Sequence, residues 1–313
     1  MNRLARTIQI LALTAVAVAF SCHPAQGTTS PRGTAMASAD TLNAFFSTYH
    51  ADGGSSVPLG DGRVLWLFGD TIRSDGSMDR NSAAIQTGTT FTPLEGTFAQ
   101  PPTAGHWYWP GQAVREGTNL RILWQDFYRT GDGAWDFHYD HTDVVTYSLP
   151  DLQLMTRTPL PRRSSGAMWG QLVRAANGYT YVYGAYSVEG EIGKAFEVAR
   201  VPNGRLASAS AWQYLGTKLP PSMELGTVAS VIRAPSGYRL FSKRLDLWTD
   251  DIIAYDAKSP TGPWVNKRVV ATTPHVDGQW TYAVEAHPEQ GVLTYATNCE
   301  VSCPEYGLTA ISM

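Results

Sequence analysis

Arg63-Val-Leu-Trp-Leu-Phe-Gly69 is a short apolar run that stops on a glycine, and runs like it recur along the chain. Its counterparts are residues 119–127, Tyr179-Thr-Tyr-Val-Tyr-Gly184, 238–243 and 292–298. With Trp66, Leu123, Val182, Leu240 and Leu293 as markers, the steps are 57, 59, 58 and 53 residues. A small, Gly-rich or aromatic segment precedes each run: residues 53–58, 109–114, 169–173, 227–232 and 282–286. A third segment follows each: 81–87, 141–149, 195–202, 250–257 and 306–313. All are short, rich in Val, Tyr, Trp, Leu and Ile, and bounded by Gly, Pro, Asn or Asp, which is the pattern of strands. Outside the N-terminal segment no window sustains a helical period. Five copies of a strand-only unit at this spacing predict an all-β fold, a five-bladed β-propeller, because solenoid repeats are shorter. The first four units each carry a fourth strand candidate, such as 151–159 or 264–271, and the fifth ends at Met313 after three. Residues 42–49 are therefore expected to supply the missing outer strand and close the ring, which would remove an exposed sheet edge.

Composition narrows the class. Of 313 residues, 43% are hydrophobic and 16% charged, enough apolar side chain for a sizeable core. The net charge of −3, with five lysines, argues against a nucleic-acid partner, which needs clustered cations. Ten Trp and fifteen Tyr fit sheet cores, and their flat rings also suit sugar faces. The chain has no Walker loop, dinucleotide glycine motif, Gly-x-Ser-x-Gly elbow or His-Glu-x-x-His pair.

Arg3 and Arg6 precede an apolar run over 8–20, too short for a membrane span and suited to an export signal. Two readings stand: a signal peptide over 1–27 cleaved after Ala25-Gln-Gly27, or a lipobox that leaves Cys22 lipidated. Residues 28–39 read as a flexible tether, and 40–313 as the propeller. A secreted or surface-anchored monomer is expected, with the membrane reached only through that anchor. Cys299 and Cys303 then remain, and an oxidising compartment favours a disulfide between them.

In a propeller, polar residues just before an inner strand or just after the second strand face one central pit. Asp52 and Asp70 occupy those two slots in the first unit. Asp126 takes the slot of Asp70 in the second, Glu224 that of Asp52 in the fourth, and Glu285 and His287 lie in the fifth. Two carboxylates facing one pocket are what glycoside hydrolysis needs, one as general acid and one activating water or attacking the sugar. Asp52 is assigned the base role and Asp70 the acid, with Glu224 a rival for the acid. Asn81 is expected to orient the acids. Trp109, Trp169 and Tyr282 are expected to be sugar platforms, with Asp126, Glu285 and His287 as further contacts. No cofactor is expected; a structural cation in the central channel is left open.

Asp52-Gly-Gly-Ser-Ser-Val-Pro-Leu59, Leu65-Trp-Leu-Phe-Gly-Asp-Thr71 and Asn81-Ser-Ala83 resemble the start of a bacterial propeller family described as a domain of unknown function. Members of that family include endo-D-arabinanases acting on arabinogalactan and lipoarabinomannan. Trp107-Tyr-Trp-Pro-Gly111, Met168-Trp-Gly170, Phe196-Glu-Val-Ala-Arg-Val-Pro202, Ser259-Pro-Thr-Gly-Pro-Trp264 and Ala286-His-Pro-Glu289 extend the likeness over about residues 48–313. More widely, the chain is similar to the furanose-active propellers, which include arabinanases and invertases. The resemblance implies a polysaccharide substrate and Asp52 and Asp70 as the catalytic pair; an inverting course is expected, to be decided by the carboxylate separation, about 6.5–9.5 Å for inversion and about 5–5.5 Å for retention. In that wider pattern a third-unit inner strand carries an acid, whereas this chain has Trp169 and Gln171 there. The alternative function is a carbohydrate-binding propeller without catalysis.

Overall fold

The computed structural model describes residues 37–300, 303 and 305–313. The expected export signal, Cys22 and most of the tether lie outside the described residues. Sheet 1 is built from Ser55–Pro58, Arg63–Phe68, Ser82–Thr87 and Thr90–Pro93. Sheet 2 follows with His106–Glu116, Asn119–Arg129, Phe137–Ser148 and Leu154–Pro159. Sheet 3 has Met168–Arg174, Tyr179–Tyr186, Ala195–Pro202 and Gln213–Leu219; sheet 4 has Ser230–Ala234, Gly237–Lys243, Asp251–Ala257 and Val265–Thr272. Sheet 5 has three strands, Gln279–His287, Val292–Cys299 and Gly307–Ser312. Each is an antiparallel meander whose strands follow chain order, and in sheet 1 the second and third strands are joined through a small hairpin, Thr71–Ile72 paired with Met78–Asp79.

The apolar core is divided among the sheet interfaces. Leu65 and Leu67 of sheet 1 pack with Tyr108, Leu120 and Trp124 of sheet 2. Val114 and Leu123 meet Trp169 and Leu172 of sheet 3, while Tyr181 and Val198 meet Val231 and Leu240 of sheet 4. Phe241 and Ile252 join Val284 and Leu293 of sheet 5. A further cluster unites Val292, Ala296 and Leu308 of sheet 5 with Trp66 and Phe68 of sheet 1. The first strands of the sheets also touch in this cyclic order, the fifth against the first. Their N-terminal ends therefore converge on one side of the molecule, and the site is built there.

One expectation is corrected. Residues 42–49 do not form a strand; Ala39–Phe46 is an α-helix. Ser38 caps it by accepting the Thr41 N–H at 3.2 Å, and Asp40 stands in the first turn, where the helix dipole favours an acid. Leu42 and Phe46, four residues apart, turn one face into the core shared by sheets 5 and 1. Asn43 takes over part of the missing strand's task. Its amide donates to Ala310 O at 2.9 Å and accepts from Ala310 N at 2.7 Å, satisfying backbone on the open edge of Gly307–Ser312.

Candidate active site

Asp52 and Asp70 flank the antiparallel pair formed by the first two strands of sheet 1, so the fold delivers both carboxyls to the same end. Backbone bonds fix their spacing: Asp52 N donates to Asp70 O at 3.1 Å, and Gly69 N donates to Asp52 O at 2.8 Å. Tyr306 OH donates to Asp70 O at 2.9 Å. Gly53 adopts φ +61°, a conformation open to glycine at little cost. Gly69 is required for space, because a Cβ there would collide with Asp52 Oδ1.

The two carboxyls have different partners. Among the described residues, Asp52 Oδ2 accepts only a neutral donor, the Tyr282 hydroxyl, at 2.6 Å. Asp70 Oδ1 accepts Trp109 Nε1–H at 2.8 Å, and its Oδ2 is ion-paired with Arg80 at 3.0 Å. The Arg80 guanidinium also lies 4.7 Å from the centre of the Trp107 ring, which braces it. Burial, and then the charge of Asp70, push the Asp52 carboxyl up to about 7. Burial also raises Asp70, but the Trp109 N–H and the Arg80 charge oppose it. Asp70 therefore ionises first, and the Asp52 carboxyl keeps its proton up to about 7.

Both side chains are half-buried and open to a cavity of about 280 Å³, which Ile72, Met78, Asn298 and Tyr306 also line. Cys299 and Cys303, joined by a disulfide with Cα atoms 5.1 Å apart, form part of its rim. A larger depression of about 420 Å³, around Arg121 and Arg205, has no carboxylate in its lining and cannot perform the same chemistry.

Several expected site residues lie elsewhere or act otherwise. Trp169 is 1% exposed and packs edge-on against Trp212, so it is core and offers no face to a sugar. Asn81 is fully buried; it donates to Ala99 O and Tyr108 O and accepts from Ala99 N, tying sheet 1 to sheet 2. Its side chain hydrogen-bonds to neither aspartate. Trp109 and Tyr282 do reach the pit, but as hydrogen-bond donors to the carboxyls. Glu224 is ion-paired with Arg244 at 2.9 Å and with Lys267, and these bonds hold its carboxyl below the usual range. A carboxyl kept ionised in this way is unsuited to donate a proton.

Asp126 is buried and bonded to His106 Nδ1 at 2.7 Å, beside the Asp140–His141–Asp143 group of sheet 2. His106, Asp126 and Asp140 offer donor atoms within 4.8 Å of one another, though Asp140 is already paired with Arg162. His287 accepts or donates to Ser56 at 2.6 Å and Thr294 at 2.9 Å, and its ring lies 4.7 Å from that of Trp66. Burial depresses its pKa to about 3, so it is a neutral core imidazole.

Glu285 belongs to the centre of the fold. Gln171 Nε2 and Gln112 Nε2 donate to its two oxygens at 2.7 and 2.8 Å, joining sheets 2, 3 and 5. Burial raises its pKa to about 7. The sign of the consequence follows from linkage: a carboxyl raised on folding is fully compatible with the fold below its unfolded pKa, and stability is lost as pH rises through about 7. Glu285→Gln should therefore raise the melting temperature at pH 8 and do so progressively less toward pH 5. The stabilisation is on the order of 3 kcal/mol at most. Gln171 Oε1 is buried without a partner and can accept the new amide once that side chain flips. Calorimetry across that pH range checks it.

Sequence reading passed over Arg80, Tyr306 and Gly69. Gly69 adjoins Asp70, so a search for close approaches there would have found it, whereas nothing in the sequence pairs Arg80 or Tyr306 with the aspartates.

Comparison with known structures places the fold. A Bacteroides ovatus protein with a provisional hydrolase designation is 20% identical, with a TM-score of 0.67 over 87% of this chain and 89% of that one. An exo-1,5-alpha-L-arabinanase from a bovine ruminal metagenomic library is 12% identical, TM-score 0.53, over 85% and 94% of the two chains. An exo-beta-1,3-galactanase of Phanerochaete chrysosporium is 12% identical, TM-score 0.54, over 84% of this chain and 60% of that one. At these identities the likeness is one of fold, an almost all-β architecture that this chain shares with them. No curated protein matches the sequence. Over residues 40–301 the chain matches the profile of DUF5005, a domain of unknown function, and it belongs to that family.

Proposed function

We propose that the protein is an exported glycoside hydrolase, a five-bladed propeller that cleaves a furanosyl polysaccharide, with D-arabinan of the arabinogalactan and lipoarabinomannan type as its substrate. The observation that carries this reading is the aspartate pair itself: two adjacent carboxyls open to one cavity, only one of which has a cationic partner. Such an asymmetric pair divides acid and base work at neutral pH. The shared fold with an arabinanase and a galactanase supports a glycan substrate by analogy.

The electrostatics favour the reverse of the roles expected from the sequence. Asp52, protonated to about pH 7, gives its proton to the glycosidic oxygen as the C–O bond breaks. Asp70, ionised and held by Arg80 and Trp109, takes a proton from the attacking water, and proton exchange with solvent restores both groups. The positive charge that develops on the sugar ring is stabilised by the Asp70 carboxylate in a partly desolvated pit. Tyr282 and Tyr306 hold the pair in register without adding charge.

Incubating the purified protein with arabinogalactan should release oligosaccharides. A protein that binds this or another furanose polymer yet releases no product from any of them would be a carbohydrate-binding propeller, and the hydrolase reading would be lost.

A further inference from the structure

Trp135 is 66% exposed, although it sits in a segment built to hold it still. Gly133 N donates to Asp136 Oδ2 at 2.8 Å, Thr130 N donates to Asp136 O at 2.9 Å, and Arg129 Nη1 donates to Gly133 O at 2.8 Å. Gly131 and Gly133 both lie against the Asp136 carboxylate, where a Cβ would come within 2.5 and 2.8 Å of its Oδ2. A turn packed this closely fixes the direction of the tryptophan that it carries. Exposing an indole in water forfeits the gain from burying a large apolar ring, so a rigid, exposed one needs a reason.

Its neighbours supply the reason. The Trp135 ring lies 6.4 Å from Phe137, and Phe137 meets Trp109 edge-on at 5.0 Å. Trp109 is the residue that donates to Asp70. On its other side Trp135 lies 6.3 Å from Trp280, at an angle of 45°. Trp280 stands two residues before Tyr282 on one regular strand, hence on the same face, and Tyr282 donates to Asp52. An arc of aromatic side chains therefore begins at one catalytic carboxyl and returns to the other. It links sheet 2 to sheet 5, the two neighbours of the sheet that bears both aspartates.

The geometry points to a sugar-binding subsite formed by Trp135 and Trp280 at the mouth of the aspartate pit, which takes the C–H face of one ring of the glycan next to the bond that is cleaved. The two indoles, tilted at 45° and in contact, form an apolar wedge on which Trp135 stays 66% exposed, and a furanose or pyranose ring presents a flat C–H face of matching character to that outer surface. No Lys or Arg lies over either ring among the described residues, so the faces are free of cation–π partners. This inference rests on the proposed hydrolase reading and adds a binding determinant to it.

The test compares wild type, Trp135→Ala, Trp280→Ala and Trp135→Phe on an arabinofuranosyl oligosaccharide and on an aryl arabinofuranoside too short to reach the wedge. Trp248→Ala is the control, since Trp248 is 70% exposed in the turn Asp246–Trp248, which joins two strands of sheet 4, and lies outside the arc. KM for the oligosaccharide should rise roughly ten-fold in either Trp-to-Ala variant, the loss of about one good stacking contact. Trp135→Phe should restore most of the affinity, and the rise should be smaller on the aryl glycoside. Trp248→Ala should leave KM unchanged. Calorimetric titration of the oligosaccharide into Asp52→Asn gives the same comparison without turnover. If wild type cleaves the oligosaccharide and Trp135→Ala does so with the same KM, the subsite is wrong and the hydrolase reading stands. If wild type neither cleaves nor binds any furanosyl glycan, both fall together.

Discussion

Asp52→Asn should lower hydrolysis of arabinan by about 10²- to 10⁴-fold while leaving the protein folded, which is what removal of a general acid usually costs. The amide oxygen of asparagine can still accept the Tyr282 hydroxyl, so the pit keeps its shape. The same variant should be far less impaired on an aryl furanoside, whose phenolate departs without protonation. Asp70→Asn should be impaired on both substrates, because water activation is needed whatever the leaving group. In that variant the neighbouring negative charge is gone, so the Asp52 carboxyl should titrate below about 7, which NMR can follow. For wild type, kcat/KM should fall as pH rises through about 7, as Asp52 gives up its proton. If Asp70→Asn is the variant rescued by the good leaving group, the sequence-based roles were right and the electrostatic assignment is wrong.

The strand repeat was legible because its signal is local: short runs of β-branched, aromatic and other apolar residues between turn residues, copied at a step of 53 to 59 residues. The helix at Ala39–Phe46 was not, for an instructive reason. Its apolar residues Leu42, Phe45, Phe46 and Tyr49 have helical spacing, but a single short copy next to five strand repeats invites reading by analogy. Ser38 and Asp40 were the contrary signs, and capping chemistry outweighed the demand for a closing strand. At the site, Asp52 and Asp70 were readable as two slots on adjacent strands. Their unequal partners were not, since Arg80, Trp109 and Tyr282 come from two different sheets and a loop. Trp169 misled because an aromatic ahead of an inner strand has two destinations, the pit or the sheet interface. Burial against Trp212 and Tyr214 decides between them, and that depends on neighbours over forty residues away. Trp135 carried a weaker sign, an exposed-type indole in a turn of glycines and aspartates.

Gly69→Ala should abolish most activity without unfolding the protein. Gly69 has an ordinary backbone conformation, so alanine meets no dihedral penalty, and its N–H bond to Asp52 O is retained. The conflict is confined to the new methyl group, which would collide with Asp52 Oδ1. The carboxyl must rotate away, and in doing so it gives up the Tyr282 hydroxyl and its place beside Asp70. Displacement of a catalytic group by about 1 Å is enough to cost roughly 10²-fold in rate. The stability cost should be modest, because the carboxyl moves toward an open cavity and the loss is confined to its hydrogen bond with Tyr282. The upper limb of the pH profile should shift as well: an Asp52 carboxyl turned into solvent and away from Asp70 loses both causes of its raised pKa, so the activity that remains should decline at lower pH than in wild type. Kinetics across pH, with thermal unfolding as the control, distinguish this from general destabilisation. Wild-type rates in Gly69→Ala would mean that Asp52 works from another rotamer, and the acid assignment built on its contact with Tyr282 would have to be abandoned.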